Sequence, residues 1–138
     1  MTVVEGALQE KPCMSELDAL ALARKLADVA YDKKAEDIAI LDVRGRHSEI
    51  DYFVLATTRA SRHAVVTGEE ALQFVKHHAG GYPYQLVKGE DWVCGDFGAV
   101  VLHVFTRDAR EFYDIEHLWA DAERVDWQPS VDSREISA

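Results

Sequence analysis

Two carboxylates, Glu49 and Asp51, have the type and spacing that could hold a divalent metal ion. Side chains at i and i+2 of a strand point the same way, and such pairs bind the metal in nucleotidyl transfer. That chemistry also needs a Gly-Ser element and a third carboxylate, and the sequence offers only Gly45 and Ser48 with an unspecified third acid. The favoured interpretation is a solvated loop end that caps a strand.

Other residues capable of chemistry have simpler structural interpretations. His77 and His78 are adjacent, not four apart as a shared metal ion on a helix requires, and they suit the last turn of a helix. Cys94 has no Cys or His at ligand spacing and indicates a buried structural thiol. Asp96-Phe97-Gly98 matches the kinase triplet in letters only and predicts a turn. We therefore predict no catalytic, metal or cofactor residues and no enzymatic activity.

Aromatic and charged residues are concentrated between Asp91 and Asp121, in greater number than one small core can use. Trp92 begins a hairpin arm beside acidic residues. Its position is compatible both with an interface and with the core. The favoured interpretation of His103 is a satisfied histidine within the sheet, and the alternative is a contact residue. Tyr113 lies off the apolar stripe of its helix and is the better contact candidate, whereas Trp119 is assigned to the core. This segment predicts a binding surface.

Composition narrows the class of partner. The chain has 138 residues, with 25 acidic and 15 basic side chains and a formal charge of −10. This charge argues against direct association with a nucleic-acid backbone or an anionic membrane and favours a basic protein partner. Two cysteines imply no disulfide framework, and a reducing cytosol is the expected compartment. Neither a secretion signal nor an apolar run long enough to cross a bilayer is recognisable.

Periodicity and turn signals place the elements that must position these residues. The first half of the chain predicts a flexible leader over 1–14, a capping box at Ser15–Asp18 and a helix to about Lys34. Two strands are predicted next, over Asp37–Val43 and Tyr52–Thr57, with a turn at Gly45 between them. The middle predicts a helix capped by Ser61 and ending near Ala79 at Gly80-Gly81, then an edge strand over Tyr82–Val87 that contains Pro83.

The last part of the chain predicts a hairpin and a short helix. Its elements are strands over Trp92–Asp96 and Ala99–Phe105, a capping box at Asp108–Glu111, a stripe of Phe112, Ile115, Leu118 and Trp119, and a flexible tail over 125–138. The order of elements predicts one α/β domain over 15–124, with a mixed sheet of about five strands flanked by helices.

Several of these segments together resemble the ribosomal silencing factor family, also called the Iojap-like family. The resemblance extends over about four fifths of the chain, from the first helix to about Asp121. It rests on the order and spacing of Asp51–Thr57, Ser61–His63, Asp91–Val93, Asp96–Gly98, Val101–Phe105 and Arg110–Tyr113 followed by Leu118-Trp119.

The resemblance implies a fold distantly like the nucleotidyltransferases without their catalytic set, and a role as a non-enzymatic translational repressor. The implied partner is protein fourteen of the large ribosomal subunit, whose occupation blocks joining of the small subunit when nutrients are short. It also implies that the free protein can form a homodimer. Carried over by position, the contact residues are Trp92, Asp96, His103, Arg110, Glu111 and Tyr113.

Two departures from the family pattern concern the region around the second strand. Glu49 is acidic where the family usually is not, and Thr57-Thr58-Arg59 stands where a Gly-containing turn is common. Two other functions are kept as alternatives: a nucleotidyltransferase-type enzyme using Glu49 and Asp51, and a large-subunit assembly factor.

Overall fold

Helices and strands are interspersed along the chain, as the sequence predicts for an α/β domain. A computed structural model describes residues 18–45 and 49–128. Its elements are α1 (Ala19–Asp32), β1 (Glu36–Asp42), β2 (Tyr52–Thr58), α2 (Ser61–His78), β3 (Gln85–Lys88), β4 (Trp92–Asp96), β5 (Val100–Thr106), α3 (Arg107–Tyr113), α4 (Ile115–Leu118) and β6 (Glu123–Val125).

The strands form one mixed sheet in the order β3-β4-β5-β2-β1-β6. Its centre is the parallel pair β2 and β5, in which Tyr52 is paired with Val100 and Thr58 with Thr106. The neighbouring pairs are antiparallel, including the predicted β4–β5 hairpin, which pairs Cys94 with His103. The fold class is confirmed, and the described sheet has six strands where about five were expected.

One face of the sheet is covered by α1 and α2. Leu22 and Leu26 of α1 and Val75 of α2 are fully buried against strand residues such as Val54 and Val104. The apolar residues of both helices recur at helical spacing, so each helix presents one stripe to the sheet. This face contains the larger of the hydrophobic clusters.

The opposite face is covered at one end by α3 and α4. Alternate residues of the same central strands point here, among them Phe53, Leu55 and Phe105. Ala109 of α3 is buried on this cluster, and Ile115 and Trp119 pack at its edge. The prediction that Trp119 contributes to the core is thus consistent with its place, where its ring lies 5.2 Å from that of Phe53.

Two predicted helix starts differ from the structure. Asp18 is the N-cap of α1 and accepts a 2.8 Å hydrogen bond from the Ala21 amide, while the predicted cap Ser15 lies outside the described residues. Ser61 is the first residue of α2 and not its cap, because the chain turns one residue earlier, at Ala60. The latter helix ends at His78, and Gly81 adopts a left-handed φ of 94°.

The capping box at Asp108–Glu111 is wrong, and so is the continuous stripe behind it. Thr106 caps α3 through its hydroxyl, which accepts from the Ala109 amide, because the helix begins directly at the end of β5. Asp114 then takes a left-handed conformation that separates α3 from α4. Leu118 follows this break and is exposed, and Phe112, which precedes the break in α3, is exposed as well.

The chain beyond residue 124 is ordered further than predicted. Val125 belongs to β6 and pairs with Ile40 of β1, and the Trp127 ring lies 6.0 Å from that of Tyr31. Both side chains pack against the helix-covered core. The predicted tail is therefore corrected for these residues, while the predicted leader over 1–14 and residues 129–138 lie outside the described chain. The edge strand is also shorter than expected, beginning at Gln85.

Candidate functional site

The β4–β5 hairpin brings Trp92 and His103 together on the face that the long helices leave open. Trp92 is paired with Phe105 and Cys94 with His103, so the side chains at 92, 94, 103 and 105 project from the same side of two adjacent strands. The Trp92 ring lies 5.5 Å from that of His103 and 5.0 Å from that of Phe105. Strand pairing alone therefore assembles an aromatic group from residues distant in sequence.

A hydrogen bond defines the state of His103. The indole Nε1 of Trp92 donates to His103 Nδ1 at 3.0 Å, so the proton of the neutral ring resides on Nε2. That Nε2 is buried and has no hydrogen-bond partner among the described residues. Burial lowers the pKa of His103 to about 4, which keeps the ring neutral at physiological pH. The sequence allowed both a sheet position and a contact role, and the structure places His103 within the sheet, 7% exposed.

Tyr113 extends the aromatic group from the end of α3. Its ring lies 4.7 Å from that of Trp92 and 5.1 Å from that of Phe112. Tyr113 is 45% exposed and Phe112 is 81% exposed, whereas Trp92 is half-buried. We call Trp92, His103, Phe105, Phe112 and Tyr113 the aromatic patch. Solvent exposure within the patch increases from the buried His103 and Phe105 to the exposed Tyr113 and Phe112.

A shallow cavity adjoins the aromatic patch. It has a volume of about 530 Å³ and is lined by Trp92, Tyr113, Cys94, Val87 and the acidic pair Glu90 and Asp91. Burial and the nearby Asp96 raise the pKa of the Cys94 thiol, so this thiol stays protonated at neutral pH. Cys94 is half-buried, and its protonated state suits the structural role predicted for it. The cavity offers apolar walls with an acidic rim.

Asp96 lies at the other end of β4 from Trp92, about 13 Å away along the strand. Its carboxylate accepts a 3.0 Å hydrogen bond from the Gly98 amide, and Gly98 has a left-handed φ of 79°. The predicted turn at this triplet is confirmed. Asp96 projects from the same face as Trp92 but is not in contact with the aromatic patch.

Arg110 and Glu111 lie on the side of α3 turned towards β1. Together with Asp37, Glu116 and Arg124 they line a polar depression of about 430 Å³. The Arg110 guanidinium is bonded to groups of the chain itself, whereas Glu111 is exposed. Of the six predicted contact residues, the structure brings together Trp92, His103 and Tyr113, whereas Asp96, Arg110 and Glu111 lie apart from this group.

The carboxylates considered for metal chemistry lie outside the sheet. Glu49 and Asp51 precede β2, whose first residue is Tyr52, and the Asp51 amide donates to the Ala99 carbonyl at 2.7 Å. Within residues 18–45 and 49–128, no group of three or more His, Cys, Asp or Glu side chains could hold a metal ion. The same residues contain no helix that is long and apolar enough to span a bilayer.

Sequence reasoning did not identify Phe105, Phe112 and Val87 as part of this surface. Phe105 follows from the strand alternation that placed His103, since the two residues share a face. Phe112 was assigned to the core because its spacing from Ile115 and Trp119 predicts one apolar stripe. Val87 is 57% exposed on the edge strand, and its place depends on strand pairing that the sequence does not specify.

Comparisons with known proteins agree on one family. A family model described as "Ribosomal silencing factor during starvation" matches residues 16–138. Ribosomal silencing factor RsfS of Bacillus subtilis is 34% identical over 118 residues, covering 82% of this chain and 94% of that protein. The mouse protein named mitochondrial assembly of ribosomal large subunit protein 1 is 31% identical over 98 residues, covering 68% of this chain and 43% of that protein.

Solved structures agree with the fold. A crystal structure of a Chromobacterium violaceum protein has a TM-score of 0.70 at 23% identity, covering 84% of this chain and 98% of that chain. A Bacillus halodurans protein has a TM-score of 0.61 at 29% identity, covering 74% and 94%. The family model matches most of the chain, and the Bacillus subtilis relative is similar over nearly its whole length. The chain belongs to the ribosomal silencing factor family.

Proposed function

We propose that this protein represses translation by binding protein fourteen of the large ribosomal subunit and thereby blocking joining of the small subunit when nutrients are limiting. The observation that carries the proposal is the aromatic patch. Trp92 and Tyr113 leave part of their rings exposed, in a family named for silencing ribosomes. The protein would act in the compartment that holds its ribosomes, the cytosol in a bacterium.

The chemistry of the patch suits a protein partner. Aromatic rings bury a large area on binding at little cost in conformational entropy, and they are frequent among residues that dominate interfaces. Trp92 is already held by His103 and Phe105, so its ring is oriented before a partner arrives. Preorganisation of this kind reduces the entropy lost on association. Trp92 and Tyr113 are therefore the proposed anchors.

The charges around the patch favour a basic partner. Glu90 and Asp91 line the adjoining cavity, and Glu111 is exposed on α3. The nearby Arg107 is paired with Glu36 at 2.9 Å, so its charge is largely compensated within the chain. With a formal charge of −10, the chain would be steered towards a positively charged ribosomal protein. Asp96 would add to this field from the far end of β4.

The proposed mechanism is occlusion and needs no catalytic residue, metal or cofactor. A folded domain seated on protein fourteen occupies space that the small subunit must enter. Repression then depends on affinity and bulk, and it is reversible when the domain dissociates. Binding of other factors elsewhere on the large subunit is expected to be unaffected.

The test is sedimentation of purified large subunits with the protein, followed by addition of small subunits. We expect co-sedimentation with the large subunit and a dose-dependent loss of the joined ribosome peak. Trp92→Ala should weaken binding by about 2 kcal/mol, or roughly thirtyfold, because a central aromatic anchor is removed. The protein run alone reports whether it forms the proposed homodimer when free of the ribosome.

Trp127→Ala is the matched control, because it removes the same side chain from the helix-covered side of the sheet. This variant should bind as the parent does once its folded fraction is taken into account. If Trp92→Ala folds and binds as tightly as the parent, the aromatic patch is not the contact face. If the folded parent does not bind large subunits, repression by occlusion is wrong.

Assembly of the large subunit is the second candidate function. It is favoured by the name of the mouse relative, which refers to assembly of the mitochondrial large subunit. An assembly factor should bind precursors of the large subunit irrespective of nutrient supply, whereas a repressor should accumulate on mature subunits during starvation. Comparing the sedimentation of the protein in growing and starved cells separates the two.

A further inference from the structure

Arg110 is one of the most internally bonded side chains in the described chain. Its side chain is 11% exposed, and its Nε and terminal nitrogen donate to the two carboxylate oxygens of Glu116 at 3.1 and 3.0 Å. Another terminal nitrogen donates to the Thr57 hydroxyl at 2.8 Å and to the Asp37 carbonyl. We call Arg110, Glu116, Thr57 and Asp37 the clasp.

The clasp connects elements that are far apart in sequence. Asp37 belongs to β1, Thr57 to β2 and Glu116 to α4, while Arg110 itself is in α3. Glu116 also accepts from Arg124, which lies in β6. The bond to Arg110 holds the pKa of the Glu116 carboxyl below its usual range. One guanidinium therefore holds α3 and α4 to the sheet on both sides of the left-handed break at Asp114.

Beyond its first residues, helix α3 has few other contacts that fix its position. It is seven residues long, too short to be stable alone, and Ala109 is its only buried residue. Phe112 points to solvent, so no large apolar side chain anchors the middle of the helix. The Thr106 cap and the pairing of Arg107 with Glu36 and Asp37 fix its start, at the end of β5. The clasp is thus the main contact that fixes the rest of the helix.

The position of α3 decides where Tyr113 lies. Tyr113 is the last residue of the helix, three residues after Arg110, and its ring reaches Trp92 on β4. Residues three apart lie on neighbouring parts of one helical face, so movement of Arg110 displaces Tyr113 directly. Arg110 anchors the helix to β1 and β2, and Tyr113 contacts Trp92 of β4 further across the same face of the sheet.

We infer that Arg110 is a positioning residue that acts through Tyr113: it clamps α3 and α4 onto β1 and β2 and so sets the geometry of the aromatic patch. Its role in recognition rests on the proposed function, but its role in fixing α3 does not. Lysine cannot replace it, since a single ammonium group lacks the planar fork that reaches a carboxylate, a hydroxyl and a carbonyl together.

The first experiment follows hydrogen exchange in the free protein. Arg110→Ala should speed exchange of the Ala109, Asp114 and Leu118 amides by about tenfold, because local opening of α3 and α4 becomes easier. Amides of α1 and α2 should keep their protection. Arg59→Ala removes an exposed guanidinium whose ion pair with Glu36 is 3.6 Å long, and it should change none of these rates. Unchanged exchange in Arg110→Ala would overturn the inference.

The second experiment is a double-mutant cycle with binding to purified large subunits. Arg110→Ala should weaken binding about tenfold in the parent and less than about twofold in a Tyr113→Ala background, because its effect passes through Tyr113. Arg110→Lys should resemble Arg110→Ala. An equal loss in both backgrounds would mean that Arg110 contacts the partner or acts by general destabilisation, and positioning through Tyr113 would be wrong.

The two experiments separate this inference from the proposed function. If Arg110→Ala speeds exchange in α3 and α4 but the parent does not bind large subunits, the clasp stands as a determinant of the patch and the proposed partner is wrong. If the parent binds and exchange in Arg110→Ala is unaltered, the partner stands and the clasp does not position α3.

Discussion

The two faces of the sheet differ in how they are covered and therefore in what they can do. On one face, helices of 14 and 18 residues pack on the sheet and form with it a cluster of sixteen buried hydrophobic residues of the described chain. On the other, helices of seven and four residues cover one end of a cluster of eight. The first face supplies most of the burial that stabilises the fold, and the second keeps aromatic surface available.

The central strands contribute side chains to both faces of the sheet. In β5, Leu102 and Val104 point to the long helices, while His103 and Phe105 point to the aromatic patch. Adjacent residues of a strand therefore contribute to different properties.

The largest expected effect comes from the helix-covered face. Leu26 is fully buried, and Leu26→Ala should lower the free energy of unfolding by roughly 2–5 kcal/mol, because it removes apolar contacts and leaves a cavity. Urea denaturation measures this loss. Binding to large subunits, expressed per folded molecule, should not change. A loss of affinity in the folded fraction would show that the two faces are coupled.

A smaller effect is expected from His103, at the base of the open face. Its pKa is about 4 in the folded chain and near 6.5 when unfolded, so the unfolded state binds the extra proton between these values. The free energy of unfolding should fall by about 2 kcal/mol between pH 7 and pH 5. Urea denaturation across this range measures the slope.

His103→Gln provides the control for that slope. Glutamine keeps an acceptor for the Trp92 indole but does not titrate, so most of the pH dependence between pH 7 and pH 5 should disappear. The pKa of the Glu116 carboxyl lies below its usual range, so that group loses its contribution only at lower pH, as pH falls through its folded value. An unchanged slope in His103→Gln would assign the effect to another group.

The smallest effect on stability is expected at the exposed edge of the aromatic patch. Phe112 is 81% exposed, so Phe112→Ser should change the free energy of unfolding by no more than about 0.5 kcal/mol. Under the proposed function, binding should weaken by about 1 kcal/mol, since apolar area at the edge of the contact is lost. Loss of stability without loss of binding would place Phe112 in the core instead.

The elements with strong local signals could be predicted from the sequence. The two long helices, the strands around Ile40 and Val54, and the β4–β5 hairpin follow from periodicity and turn residues. These features depend on interactions within a few residues, which the sequence expresses directly.

Features that depend on distant contacts could not be predicted. Asp114 breaks the helix by adopting a left-handed conformation, and the sequence pattern around it continued as one stripe. Strand β6 exists because Val125 pairs with Ile40 at the far edge of the sheet. Arg110 matched the family motif as a contact residue, but its bonds to Thr57 and Glu116 appear only when three elements are brought together.

The parallel pairing of β2 with β5 has a consequence for synthesis. Tyr52 cannot find Val100 until nearly all of the domain has been made, so the centre of the sheet forms late in translation. His103 and Tyr113, which complete the aromatic patch, follow still later in the chain. A nascent chain therefore lacks the complete aromatic patch until these residues have been made.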